Sequence, residues 1–272
     1  MDVHSLGFRT DLALLRLDGS EVEDRGDYIT VRTPDNPTYY WGNFILVSAP
    51  PRENAVDRWL GVFRREFPDS VHAAMGIDRP SRGPMAPLRK AGWRVDRVVV
   101  MTATAVRRPK QPTSAEIRTL EGDDDWAQQM ELSLAGESDP HITRDFSSRK
   151  DASYRRLVEN GHGHWWGAFV DGLLAASLGI IRTGEGLARF QHVKTHPDHR
   201  RQGMAANLVH AAATDPFIRV GARRLVMVAD PHYDAIRIYR SLGFTDGAPH
   251  AEATLLPNLS TSPEHRAAHP QG

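Results

Sequence analysis

The run Val193-Lys194-Thr195-His196-Pro197-Asp198-His199-Arg200-Arg201-Gln202-Gly203-Met204-Ala205 constrains this chain more than any other stretch. Its extended residues end at a proline, which donates nothing to a sheet ladder and so closes the strand. A basic turn follows, and the residues from Gly203 to His210 open a helix whose first N–H groups have no internal partner. A helix N-terminus carries partial positive charge, and Gly203 has no side chain to hold a ligand off the backbone. The stretch reads as a cradle for an anion such as a diphosphate.

Downstream, after the strand-like Arg224-Leu225-Val226-Met227-Val228-Ala229, comes His232-x-x-Ala235-Ile236-x-x-Tyr239-x-x-x-Gly243-Phe244. Taken with Arg200-x-x-Gly203-x-Ala205, and in this order, the segment resembles the GNAT superfamily of acyl-CoA-dependent N-acyltransferases. The likeness is to the family's pyrophosphate loop, its following helix and its Leu-Gly-Phe exit. It implies an α/β fold of the α+β type, with a mixed, mostly antiparallel central sheet flanked by helices. It also implies direct transfer of an acetyl group from acetyl-CoA to a primary amine of a small molecule or peptide.

Carried over residue by residue, the resemblance gives the backbone of Val193, Lys194 and Thr195 to the pantetheine arm. It gives Arg200, Arg201, Gln202, Gly203, Met204 and Ala205 to the diphosphate. His232 stands where many relatives have an asparagine that contacts the cofactor arm or a bridging water, a departure from the pattern. Tyr239 matches the tyrosine that protonates the departing thiolate, although it shares a helix face with Ala235, Ile236 and Leu242, as a core tyrosine would. Relatives often place a glutamate or histidine on the strand before the cradle. Here Ala188-Arg189-Phe190-Gln191 has no carboxylate, and strict alternation turns His192 to the other face. Glu137 or a water chain is then as good a candidate for the base as His192. Arg189 and Gln191, sharing a face, are candidates to read an acidic or polar acceptor; the alternative for Arg189 is a surface ion pair.

Composition narrows the partners. The chain has 272 residues, with 34 basic side chains against 34 acidic ones, so no net field recruits nucleic acid or an anionic membrane. Cysteine is absent, which excludes an acyl-enzyme on a thiol. No apolar run approaches the roughly 18 residues of a membrane span, and Met1-Asp2-Val3-His4 is unlike a secretory signal. A cytoplasmic protein is expected. Among the 13 histidines no zinc spacing stands out, and no metal is expected.

Two domains are expected, a degenerate GNAT-like one over 1–108 and the acetyl-CoA-binding one over 114–258, with a flexible tail over 259–272. In the first, strands are expected over 11–17, 28–32, 39–48, 71–77 and 95–104, with helices over 52–67 and 84–91. Lys90-Ala91-Gly92-Trp93 before a strand echoes Ser241-Leu242-Gly243-Phe244. The first domain's counterpart of the cradle, Ala49-Pro50-Pro51-Arg52, has no glycine, and its prolines lack N–H groups. The polar, proline-bearing stretch from Arg107 to Ser114 marks the linker. In the second domain a helix from Asp123 to about Ala135 leads to a loop holding Glu137, Asp139 and His141, which by the resemblance faces the acceptor. Thr143 is placed to cap the next helix, a three-stranded meander enters the cradle, and Pro216 is expected to end or kink the helix that follows. Residues 251–255 form a last strand. The competing reading is a non-catalytic acyl-CoA-binding or regulatory protein; the acceptor and the oligomeric state are not named by the sequence.

Overall fold

Helix α1 (Leu6–Leu17) begins the computed structural model, which describes residues 1–137, 142–233 and 235–256. The first half continues with β1 (Glu21–Asp24), β2 (Tyr28–Arg32), β3 (Phe44–Val47), α2 (Val56–Glu66), β4 (Ala73–Ile77), α3 (Ala86–Lys90) and β5 (Arg94–Ala103). The second runs through β6 (Glu116–Thr119), α4 (Gly122–Leu134), α5 (Arg144–Glu159), β7 (Gly163–Val170), β8 (Leu173–Gly184) and β9 (Leu187–Thr195). It ends with α6 (Met204–Thr214), α7 (Pro216–Gly221), β10 (Arg224–Ala229), α8 (Ala235–Ser241), β11 (Thr245–Asp246) and β12 (His250–Leu255).

The chain divides into two compact units, Met1–Val100 with the stretch from Gly247, and Met101–Asp246. This corrects the expected boundary. Strand β12 was placed in the second domain, yet it lies antiparallel between β4 and β5, with Ala253 opposite both Met75 and Val95. Its alternating small and apolar residues complete the first unit's sheet, in the order β1-β2-β3-β4-β12-β5. Residues 101–113, expected to be first-domain strand and linker, belong to the second unit, where Thr102 pairs with Thr245 of β11. The tail over 259–272 lies outside the described residues.

The opening segment is the other correction, because 11–17, expected as a strand, is part of α1. Ser5 caps this helix at the N–H of Phe8, and the Asp78 carboxylate accepts from the N–H groups of His4 and Ser5. Both place negative charge or an acceptor where a helix start needs it. Phe8, Leu12 and Leu15, at helical spacing, enter the core of the first unit. The aromatic run at 39–44 is likewise less strand than expected. Tyr40–Gly42 form a 3-10 turn that packs Trp41 on Phe44 and Tyr40 on His72, so these rings serve the core.

In the second unit the strand order is β10-β9-β8-β7-β6, antiparallel except where β10 runs parallel to β9. Thr143 caps α5 at the N–H of Phe146, as the sequence indicates. Pro216 does more than end α6. It occupies the first turn of α7, where its missing N–H costs nothing, and Asp215 caps that turn at Phe217.

The two units repeat one plan. Strand β3 lies between antiparallel β2 and parallel β4, as β9 lies between antiparallel β8 and parallel β10. The helices that follow β4 and β10 close in the same way: Trp93 N–H bonds to Leu88 O at 3.0 Å, and Phe244 N–H to Tyr239 O at 3.1 Å. Both closures pass through a left-handed glycine, Gly92 or Gly243.

Candidate active site

Strands β9 and β10 pair only at their starts, ending at Arg189 opposite Val226. Beyond that point β9 runs on through Thr195, and its edge toward β10 carries no ladder. The backbone of Val193, Lys194 and Thr195 lies in this open stretch. The parting has a local cause on the other edge. Gln191 faces Gly179 and Lys194 faces Ser177, so β9 carries an extra residue, and His192 takes a left-handed φ of 49°. Such a bulge bends and twists its strand.

The same bulge overrides alternation. Gln191 is paired with Gly179, which is paired with Trp165, and the His192 ring also lies 6.5 Å from the ring of Trp165. Gln191 and His192 therefore point to one side, toward α4 and α5, where opposite faces were expected for neighbours. The Nε2 atoms of both are sealed from solvent and have no partner among the described residues. Burial, with Lys194 and Lys150 nearby, pushes the His192 imidazole down to about 3. A nitrogen so weakly basic is unprotonated near neutral pH and is a poor proton acceptor there.

Past β9, Pro197–His199 form a 3-10 turn, and Arg201 and Gly203 both take left-handed conformations, with φ of 63° and 78°. The N–H groups of Arg201, Gln202, Gly203, Met204 and Ala205 meet no acceptor among the described residues. Arg200, Arg201 and Gln202 are exposed, Gly203 and Ala205 half-buried, and Met204 buried as the first residue of α6. The cradle residues are thus together, with free donors and two exposed guanidinium groups beside them.

Tyr239 lies on α8, 5% exposed, with its ring edge-on to Phe244, which in turn meets Phe190 of β9. Burial raises its phenol well above the ordinary value. Its hydroxyl finds no hydrogen-bond partner among the described residues. His232 precedes α8 rather than lying within it. The residue is exposed, and its backbone N–H is bonded to Asp230.

Arg189, a candidate acceptor contact or surface ion pair, is 4% exposed and donates from Nε to the carbonyl of Phe190. It is an interior residue, so the surface ion pair is ruled out. Glu137 follows α4, half-buried, and its charge acts on Lys194 of β9. The loop before it packs tightly on the cradle turn, since a Cβ on Gly136 would stand 2.6 Å from Pro197. Asp139 and His141, expected in this loop, lie outside the described residues.

A buried polar group that the sequence did not disclose backs the open strand. Asp151 of α5 accepts from the Ser133 hydroxyl at 3.0 Å and from Gln129 at 3.4 Å, and Gln129 in turn accepts from the Trp165 indole. Lys194 joins by donating to the Ser133 carbonyl, and burial holds its ammonium below the usual lysine value. Desolvation pushes the Asp151 carboxyl up to about 6, against the hydrogen bonds that lower it. Because the folded-state value is raised, the native state binds the proton more tightly, and stability falls as pH rises between roughly 4 and 6. Asp151→Asn is expected to match the wild type near pH 4 and to exceed it near pH 7 by on the order of 2–3 kcal/mol. Urea unfolding at both pH values checks this; the difference between the two proteins cancels the opposite contribution of His192. Parallel pH curves for the two proteins would refute it.

An open strand edge leading to a helix start with unsatisfied N–H groups defines a fold that can hold an extended ligand ending in an anion. Residues 126–244 match the family model described as the acetyltransferase (GNAT) family. This stretch of the second unit is thus a GNAT acetyltransferase-family domain, and the chemistry of that family is acyl transfer. No curated protein matches the chain. A functionally unknown conserved protein from Staphylococcus epidermidis is similar at a TM-score of 0.70 and 13% identity, over 88% of this chain and 94% of that one. A GCN5-related N-acetyltransferase from Kribbella flavida reaches a TM-score of 0.62 at 18% identity, over 92% and 96%. A tandem GNAT protein from the clavulanic acid biosynthesis pathway reaches 0.54 at 16%, over 90% and 87%. At such identities the likeness is one of fold. Among the described residues no helix is long and apolar enough to cross a membrane.

Proposed function

We propose that the chain transfers an acetyl group from acetyl-CoA to a primary amine of a small molecule or peptide, using the second unit alone. The observation that carries this is the parting of β9 from β10 directly before a helix start with free N–H groups. The open edge of Val193, Lys194 and Thr195 suits the amide-bearing pantetheine arm, which pairs with it as an added strand would. The N–H groups from Arg201 to Ala205, with Arg200 and Arg201, suit the diphosphate.

In the reaction the amine nitrogen bonds to the thioester carbonyl carbon, and the carbon–sulfur bond breaks. Tyr239 gives its proton to the leaving sulfur, and the amine's proton passes to Glu137 or to water. Burial disfavours the phenolate, but it disfavours a thiolate left in the same dry space equally, so the phenol remains a workable donor. The sequence has no cysteine to carry the acetyl group on a thiol, which agrees with direct transfer.

The first unit supports one site per chain. Its β3 and β4 stay paired to their ends, and the ladder continues through Asp78 N–H to Val47 O and Arg79 N–H to Ser48 O. Pro50 and Pro51 lack the donors, and Leu88 holds the place that Tyr239 holds in the second unit. Calorimetric titration with acetyl-CoA is expected to give a stoichiometry near one, and thiol release against a panel of amines is expected to be acceptor-dependent. Stoichiometry near two would mean a working first unit. Tight binding with no thiol release for any amine would instead favour a non-catalytic acyl-CoA-binding protein.

A further inference from the structure

The segment joining β5 to β6 is pinned at both ends to the helices that frame the cradle. Arg107 N–H donates to Leu242 O at 2.8 Å, and the Arg107 side chain lies over Gly243, with Cγ and Nε 3.7 and 3.8 Å from where a Cβ would stand. Arg107 thus ends on the C-terminal turn of α8, where its charge meets the helix dipole favourably. Four residues on, the Gln111 carbonyl accepts from Asn207 Nδ2 of α6 at 2.8 Å. The same carbonyl oxygen stands 3.1 Å from the Cβ position of Gly203. The segment therefore reaches the lip of the cradle.

Between these pins stand Arg108, Pro109 and Lys110. Arg108 and Lys110 are exposed, and among the described residues neither forms an ion pair. Lys110 adjoins Gln111, and the Arg108 Cα lies within about 11 Å of it along even a fully extended chain, so both cations are held near the Gly203 lip. Pro109 restricts the backbone between them. Two unpaired cations are thereby held beside a site whose own N–H groups suffice for one diphosphate.

We propose that Arg108 and Lys110 bind the 3′-phosphate of the acyl-CoA, an inference that rests on the cofactor reading above. The 3′-phosphate monoester is carried by the ribose, beyond the diphosphate, and in this reading the diphosphate takes up the cradle N–H groups. A phosphate monoester accepts charge-assisted hydrogen bonds from guanidinium and ammonium groups. The segment thus selects for the 3′-phosphorylated carrier.

The test compares acetyl-CoA with 3′-dephospho-acetyl-CoA by calorimetry, on the full-length wild type and on the double variant Arg108→Gln/Lys110→Gln. The wild type is expected to prefer acetyl-CoA by about tenfold or more, the scale of one or two such bonds. The variant is expected to bind both ligands alike, at the wild-type affinity for the dephospho form, with its thermal midpoint unchanged because both side chains are exposed. A wild type that binds the two ligands equally overturns the inference and leaves the cofactor reading standing. So does a variant that weakens both ligands to the same degree, which is a general loss of positive charge. A wild type that binds neither ligand overturns the cofactor reading and this inference with it.

Discussion

Tyr239→Phe is expected to lower kcat by about 10²-fold or more, the scale of a lost general acid, while acetyl-CoA still binds. The surroundings of the residue make this a clean substitution. No described residue is bonded to the hydroxyl, so removing it leaves no buried donor or acceptor unpaired, and the ring contacts with Phe244 survive in phenylalanine. Unfolding free energy should change by less than about 1 kcal/mol. The raised phenol value adds a second signature. A tyrosine that holds its proton beyond the ordinary phenol range loses none of it up to about pH 10, so the wild-type kcat should show no alkaline fall below that from this group. Stopped-time thiol release by the two proteins, with unfolding curves in parallel, decides the matter. A phenylalanine variant that keeps wild-type turnover would reduce Tyr239 to a core residue, the role its helix face with Ile236 and Leu242 also fits.

The parts of this site that were legible in the sequence are those fixed by neighbours in the chain. A proline, a basic turn and a glycine before a small-residue helix set the cradle locally. Thr143 announced its helix by the same kind of short-range chemistry. What could not be read depends on partners far along the chain. Simple alternation placed His192 on the wrong side because the extra residue in β9 exists only relative to β8. Arg189, for which the sequence allows a surface ion pair, is interior, since its exposure is set by elements packed over the sheet. Asp151, Ser133 and Gln129 come from two helices and meet only when these pack together. Strand β12 carried a readable strand pattern, but nothing in a six-residue pattern says which sheet it completes. The opening helix differs from the expected strand because an apolar run as short as 11–17 suits strand and helix alike, and its caps at Ser5 and Asp78 lie before it and far beyond it.

Gly203→Glu is expected to abolish measurable acetyl-CoA binding, a loss of at least 10²-fold, and the geometry of the position says how to separate its causes. Gly203 takes a φ of +78°, which an L side chain adopts only at a cost of about 1–2 kcal/mol. A Cβ there would also stand 3.1 Å from the Gln111 carbonyl and 3.5 Å from Asn207 Nδ2, so any side chain presses on the segment at the cradle lip. Strain and crowding begin at the first added carbon, and Gly203→Ala carries both without charge. Glutamate adds a carboxylate beside the N–H groups that the diphosphate would occupy, where like charge and bulk oppose the ligand together. The two variants should therefore unfold at similar urea concentrations, below the wild type, while their affinities diverge, alanine binding acetyl-CoA more weakly than the wild type and glutamate not at all. Calorimetry on both, with circular dichroism to verify the fold, reads the difference. A folded glutamate variant that binds acetyl-CoA as the alanine variant does would place the diphosphate elsewhere and remove the cradle from the proposed site.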